Sequence, residues 1–135
     1  MLCLDTNVII AIMTGRSATA IRRFREEVTR GRRILIPAIV VHELRFGVAK
    51  STRRASNEQA VDSFLAPYET PSFDLADAAD AADIRVHLHR RGTPIGPYDL
   101  LIAAQARRRG AILVTSNVRE FRRVPGLAVE NWARP

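Results

Sequence analysis

The sequence predicts an α/β domain built on a mostly parallel central sheet flanked by helices. Three observations lead there. Short apolar runs recur along the chain and alternate with longer stretches whose apolar positions repeat at helical spacing. Strands joined through helices in this way run parallel, and a parallel sheet needs cover on both faces. A length of 135 residues, 47% of them hydrophobic, suffices for one core and leaves no room for a second, so residues 1–135 read as a single domain.

Taken in order, residues 2–4 are a buried strand that stops at Asp5-Thr6-Asn7, read as a turn. Residues 8–13 resume as an apolar segment, followed by a basic amphipathic helix over 17–30. A second apolar run at 34–36 ends at Pro37, and 38–50 has helical spacing with Gly47 inside it. Residues 53–65 place Ala60, Val61, Phe64 and Leu65 on one helical face ended by Pro67, and 69–73 is read as a brief extended piece. Residues 74–91 form a long helix with Asp74 as N-cap and Gly92 as its stop. Gly96-Pro97 opens another helix, with proline at its first position, that runs to Arg109 and ends at Gly110. Residues 111–115 are a strongly apolar strand, residues 118–121 have room for one helical turn, and 127–129 is a last short strand.

Composition narrows the function classes. Twenty-one Arg plus Lys against 14 Asp plus Glu leaves a net charge of +7, and all the cations except Lys50 are arginine. Arginine's planar fork matches phosphate or carboxylate with two hydrogen bonds, so a polyanionic partner is one reading; solvated helix faces are the other. Cys3 stands alone, which excludes an internal disulfide or a thiolate zinc site and fits a reducing cytoplasm. The N-terminal segment lacks a basic leader and is interrupted by Asp5, so neither a signal peptide nor a membrane partner is expected. His87 and His89 lie two apart on a helix and cannot chelate one metal, and His42 has no partner at zinc spacing. No serine-hydrolase elbow, P-loop or dinucleotide fingerprint is present.

In such sheets reacting groups gather beyond the carboxyl ends of the strands. Asp5 follows the first strand and Thr115, Ser116 and Asn117 follow the strand at 111–115. Asp5 has an ordinary reading as a helix N-cap. Glu43 lies in IVVHELRFG, where Ile39, Val40 and Gly47 share its helix face, so its carboxylate needs a compensating cation such as Arg45 or Arg22, or a ligand. Gly47 would let a ligand or another backbone approach that face closely. Asp99 stands at the third position of the helix opened by Gly96-Pro97, where free amides alone would stabilise it, while Ala103 and Ala106 further along permit close packing. Three carboxylates from three elements offer the oxygen ligands that hard divalent cations take.

With LDTN at 4–7, HEL at 42–44, GTPIGPYDLLIAAQA at 92–106 and LVTSNVREFRRVPGL at 113–127, the chain resembles the PIN-domain ribonucleases, and among them the VapC toxins of bacterial toxin–antitoxin pairs. The resemblance runs nearly end to end, and the 92–106 motif is its most specific part. It implies a three-layer PIN-like α/β fold, Mg²⁺ or Mn²⁺ held by acidic side chains, and single-stranded or looped RNA as substrate, tRNA among the relatives sharing these motifs. It also implies a VapB-type antitoxin partner, with homodimers joined into larger complexes. Carried over by position, Asp5 and Asp99 match the principal metal ligands and Glu43 the third acid. At the fourth position this chain departs from the family: Asn117 contributes a neutral oxygen, with Thr115 as an auxiliary group beside it, or Glu120 supplies the charge as a fourth catalytic acid. Glu120 also reads as a surface partner for Arg119, Arg122 or Arg123. Tyr98, next to Asp99, is the best base-stacking candidate, against its reading as a packed aromatic at a helix start. The alternative function is a non-catalytic nucleic-acid or protein-binding module on the same fold.

Overall fold

The computed structural model describes residues 1–134. Among them, β1 (Leu2–Leu4), α1 (Thr6–Met13), α2 (Ala18–Thr29), β2 (Ile34–Leu35), α3 (Ala38–Ala49), α4 (Arg54–Leu65), α5 (Leu75–Arg90), α6 (Pro97–Arg108), β3 (Ile112–Val114), α7 (Val118–Phe121) and β4 (Val129–Glu130) follow one another. The strands form one parallel sheet in the order β2-β1-β3-β4, with Leu2 opposite both Ile34 and Ile112, and Val114 opposite Glu130. All three β1 residues are buried, which requires cover on both faces, and helices supply it. The chain leaves β1 toward β2 on one side and enters β3 on the other, so the carboxyl ends of β1 and β3 adjoin at the point where strand order reverses. That point positions the site. Among the described residues no helix is long and apolar enough to cross a membrane.

Most expected elements appear within a residue or two of their expected bounds, and the differences have physical causes. Thr6 and Asn7 are helical rather than a turn, because the Asp5 carboxylate accepts the Thr6 N–H at 2.8 Å and starts α1 directly off the strand. The apolar segment 8–13 is helical as part of α1, the chain turns at Gly15, whose φ of 71° suits glycine, and Ser17 caps α2 by accepting from Ala20 N. Residues 69–73 give only a single bridge, Leu35 to Glu69, extended by bonds from Ile36 N to Glu69 O and Ala38 N to Pro71 O. The last strand lies at Val129–Glu130 instead of 127–129: Leu127 N bonds back to Val124 O after the left-handed Gly126, so Leu127 still belongs to the turn.

Three consecutive arginines that composition could assign to a polyanion are instead part of the fold. Arg107 forks onto Asp80 at 3.1 and 2.6 Å, and Arg108 and Arg109 each donate to Asp77 Oδ1 at 2.9 Å. They tie the end of α6 to the start of α5, where Asp74 and Asp77 form a reciprocal capping box. Burial alone would raise the fully buried Asp77 carboxyl, but hydrogen bonds from Arg109, the Asp74 backbone and Arg108 outweigh it and hold the group at about 2. The folded carboxylate therefore stays ionised where the unfolded one, near 3.8, takes up a proton. Its stabilisation is complete above that value and is lost as pH falls toward 2. Asp77→Asn is expected to cost about 2 kcal/mol at neutral pH, a fall of roughly 8 °C in Tm, with the gap to wild type closing between pH 4 and pH 2. Thermal melts at several pH values check this; a constant gap would place the effect in packing rather than charge.

Candidate active site

Asp5 leaves the end of β1 as the N-cap of α1 and is buried. Its two oxygens are both engaged: Oδ1 accepts from Thr6 N, and Oδ2 accepts from the Thr115 hydroxyl at 2.7 Å. Burial raises its carboxyl above the ordinary value and the charge of Glu43 adds to this, while the bonds from Thr115 and Thr6 pull it back. Thr115, fully buried just past β3, also accepts from Asn117 N at 3.0 Å, so one hydroxyl links Asp5 to the turn that follows β3. The cap reading of Asp5 is thus realised, and the same side chain also reaches the turn after β3 through Thr115.

Glu43 is half-buried on α3 and accepts a 2.7 Å hydrogen bond at Oε1 from the Thr6 hydroxyl. Neither proposed counter-cation is used there. Arg45 pairs with Asp62 at 2.6 Å and Arg22 lies near Glu26 at 3.9 Å. The expectation that Gly47 admits a close backbone approach is not met, since nothing would lie within 4 Å of a Cβ added there. Gly47 lines, with Glu43, Ile10, Met13 and Val61, an open groove of about 280 Å³. Thr6 is the residue sequence reasoning missed. Its hydroxyl sits one residue after Asp5 but serves an acid 37 positions away, a relation with no local signal.

Asp99 stands in the first turn of α6, half-buried, with Ala103 and Ala106 fully buried further along the helix. Burial and the charges of Asp5, Glu43 and Glu120 push its carboxyl up to about 6, with the Asn117 side chain opposing the rise. The helix-start reading predicts the reverse shift, so here the neighbouring acids outweigh the helix dipole. Gly96 has an ordinary φ of −56°, and a Cβ there would lie 3.5 Å from Asp99 Oδ2, in ordinary contact with one side of the carboxylate.

Glu120, on the single turn of α7, accepts from Asn117 Nδ2 at 3.0 Å. Among the described residues it makes no ion pair with Arg119, Arg122 or Arg123, and Arg123 donates to Pro94 O instead. The surface-pair reading of Glu120 is therefore overturned. Asp5, Glu43 and Asp99 likewise have no arginine or lysine within 4.0 Å among the described residues, although Asp62, Glu69, Asp74, Asp77 and Asp80 do. Four carboxylates thus share one neighbourhood with their mutual repulsion uncompensated by the chain.

The donors are hard oxygens. Cys3, in β1, is buried and its thiol is pushed up to about 12, which removes it as a soft ligand. Among the described residues no three His, Cys, Asp or Glu side chains converge tightly enough to hold one ion by themselves. The acids share one neighbourhood without closing on a point, an arrangement suited to a cation bound by one or two carboxylates and completed by water or phosphate oxygens. Tyr98 is half-exposed rather than packed, and its ring centroid lies 5.6 Å from that of the exposed His42. Each of these rings adjoins a pocket acid in sequence.

Known proteins resemble this chain over nearly its whole length. The family model of the PIN domain matches residues 2–127. A tRNA(fMet)-specific endonuclease VapC of Salmonella typhimurium is 37% identical over 129 residues, 96% of each chain, and the ribonuclease VapC2 of Rickettsia felis is 35% identical over the same share. Among solved structures, VapBC2 of Rickettsia felis bound to a DNA fragment from their promoter matches with a TM-score of 0.90 at 33% identity, covering 97% of this chain and 98% of that one.

Proposed function

The chain belongs to the PIN-domain family, and from that premise we propose that it is the toxin of a type II toxin–antitoxin pair, an endoribonuclease that hydrolyses tRNA with Mg²⁺ or Mn²⁺ and is restrained by a VapB-type antitoxin. The observation that carries this reading is the set of four carboxylates, Asp5, Glu43, Asp99 and Glu120, which among the described residues have no ion-pair partner in a protein of net charge +7. Such repulsion is costly to maintain, and the full-length likeness to ribonucleases supports a catalytic use for it. The buried, unreactive Cys3 accords with action in the cytoplasm.

Asp5 and Asp99 would hold the cation, with Glu43 as third acid and Glu120 as the fourth charge. A bound divalent cation supplies Lewis-acid stabilisation of phosphoryl charge and the acidity that makes water nucleophilic at neutral pH. The chain's own contribution is preorganisation. Thr115 and the Thr6 amide fix both Asp5 oxygens, the Thr6 hydroxyl fixes Glu43, and Asn117 turns Glu120 toward the same pocket. Asp99, raised to about 6, sheds its proton near neutrality and is then ready to bind a cation.

Incubation of the purified chain with a tRNA pool and Mg²⁺, followed by sequencing of the RNA ends, tests the reading. Cuts concentrated at one or a few loop positions are expected. Binding without cleavage at any divalent-ion concentration would reject the ribonuclease and favour the non-catalytic binding module.

A further inference from the structure

Beside the acidic pocket lies a second recess, of about 550 Å³, walled by Asn117, Arg119, Arg122, Asn131 and Arg134. Asn117 belongs to both, since its side-chain amide bonds Glu120 and its backbone N–H bonds the Thr115 hydroxyl that holds Asp5. We propose that this recess binds the sugar–phosphate backbone of the RNA strand on one side of the cleaved linkage, so that α7 and the C-terminal segment set how the strand enters the pocket. This rests on the ribonuclease reading and adds to it the path of the substrate.

Charge placement carries the proposal. The segment 119–123 reads Arg-Glu-Phe-Arg-Arg, in which the one acid could offset one of the three cations. It does not: Glu120 bonds Asn117, Phe121 is fully buried as the anchor, and Arg119 and Arg122 line the recess. Arg134 joins them from beyond β4, although it is 12 residues from Arg122 in sequence. None of the three makes an ion pair among the described residues, in contrast to Arg107, Arg108 and Arg109, which are bound to α5 carboxylates. Unpaired guanidinium groups gathered in one recess suit a phosphate backbone, and the amide side chains of Asn117 and Asn131 add neutral hydrogen-bonding groups. A polyanion spanning both places would meet positive charge at the recess and, at the pocket, four carboxylates that accept it only with a cation between. The strand is thereby held in the recess independently of the metal.

The test is binding of a ten-nucleotide single-stranded oligoribonucleotide of mixed sequence in EDTA, where cleavage is not in play, over a range of salt. Arg119→Gln/Arg122→Gln should bind about tenfold more weakly than wild type at physiological salt. The slope of log affinity against log salt should flatten by about 1.4, at roughly 0.7 per single-strand phosphate contact. Arg119→Lys/Arg122→Lys, which keeps the charge, should retain most of the slope. Arg90→Gln/Arg91→Gln, an equal charge change at the end of α5, is the control and should bind close to wild type. Unchanged binding in the 119/122 Gln pair, or an equal loss in the control, overturns the recess while leaving the ribonuclease reading standing. Failure of wild type to bind RNA at low salt in EDTA likewise overturns the recess alone, whereas absence of cleavage with Mg²⁺ overturns the ribonuclease reading. Far-ultraviolet circular dichroism and the fluorescence of the buried Trp132 verify that each variant is folded.

Discussion

Asp99→Asn should abolish RNA cleavage and, without divalent cations, make the protein more stable. The two effects share one cause. The Asp99 carboxyl is raised to about 6 by burial and by the charges of Asp5, Glu43 and Glu120, so at neutral pH its ionisation works against the fold. In the unfolded chain the same group titrates near 3.8. Between these values the folded state holds a proton that the unfolded state has released, so stability falls as pH rises from about 4 to about 6 and then levels. Asparagine removes that fall. The variant should exceed wild type by about 1 kcal/mol at pH 7, less than the roughly 3 kcal/mol of a full two-unit shift because the carboxylate is half in water, and the two should converge near pH 4. If Asp99 holds the cation, Mn²⁺ should raise the Tm of wild type and leave that of Asp99→Asn nearly unchanged. Single-turnover cleavage should drop at least about 10³-fold in the variant, as wild-type cleavage should drop on adding EDTA. A loss of stability at pH 7 in EDTA would show that the free amides of α6 govern this carboxylate after all.

Which parts of this site can be read from sequence follows from the range of the interactions involved. Asp5 and Asp99 are legible because each interrupts a local pattern, one ending an apolar strand and the other standing in the first turn after Gly-Pro. Glu43 is legible because a carboxylate on an apolar helix face demands a partner. The partner itself is not legible. It is the hydroxyl of Thr6, brought there by α1 starting on the strand without a turn. Thr115 is visible as a polar residue past a strand, but its bond to Asp5 spans 110 positions and depends on β1 and β3 being neighbours. Arginines show the limit most clearly. Composition treats Arg107 and Arg122 alike, yet one is forked onto Asp80 and the other faces an open recess. Short strands fail for the same reason: nothing local tells whether Leu127 or Glu130 pairs with β3, because a two-residue strand is defined by its neighbour's register.

Glu120→Gln should reduce single-turnover cleavage about 10²-fold at saturating Mg²⁺, far more than Asn117→Ala. Glutamine keeps the shape of Glu120 and can still accept the bond from Asn117 Nδ2, so its only large change is the loss of one negative charge from the pocket. If that charge serves the reaction, the loss persists when the cation is saturating; if it merely tightens metal binding, excess Mg²⁺ restores the rate. Asn117→Ala keeps the charge but frees Glu120 from its anchor, which should cost orientation and about tenfold in rate. The acid limb of the pH–rate profile separates the two roles independently of magnitude. Glu120 raises the Asp99 carboxyl whereas the Asn117 side chain lowers it, so the limb should move to lower pH in Glu120→Gln and to higher pH in Asn117→Ala. Shifts in opposite directions with the larger rate loss in Glu120→Gln would establish Glu120 as the fourth acid. A wild-type rate in Glu120→Gln with a large loss in Asn117→Ala would transfer the fourth position to the neutral oxygen of Asn117 and leave Glu120 as the group that orients it.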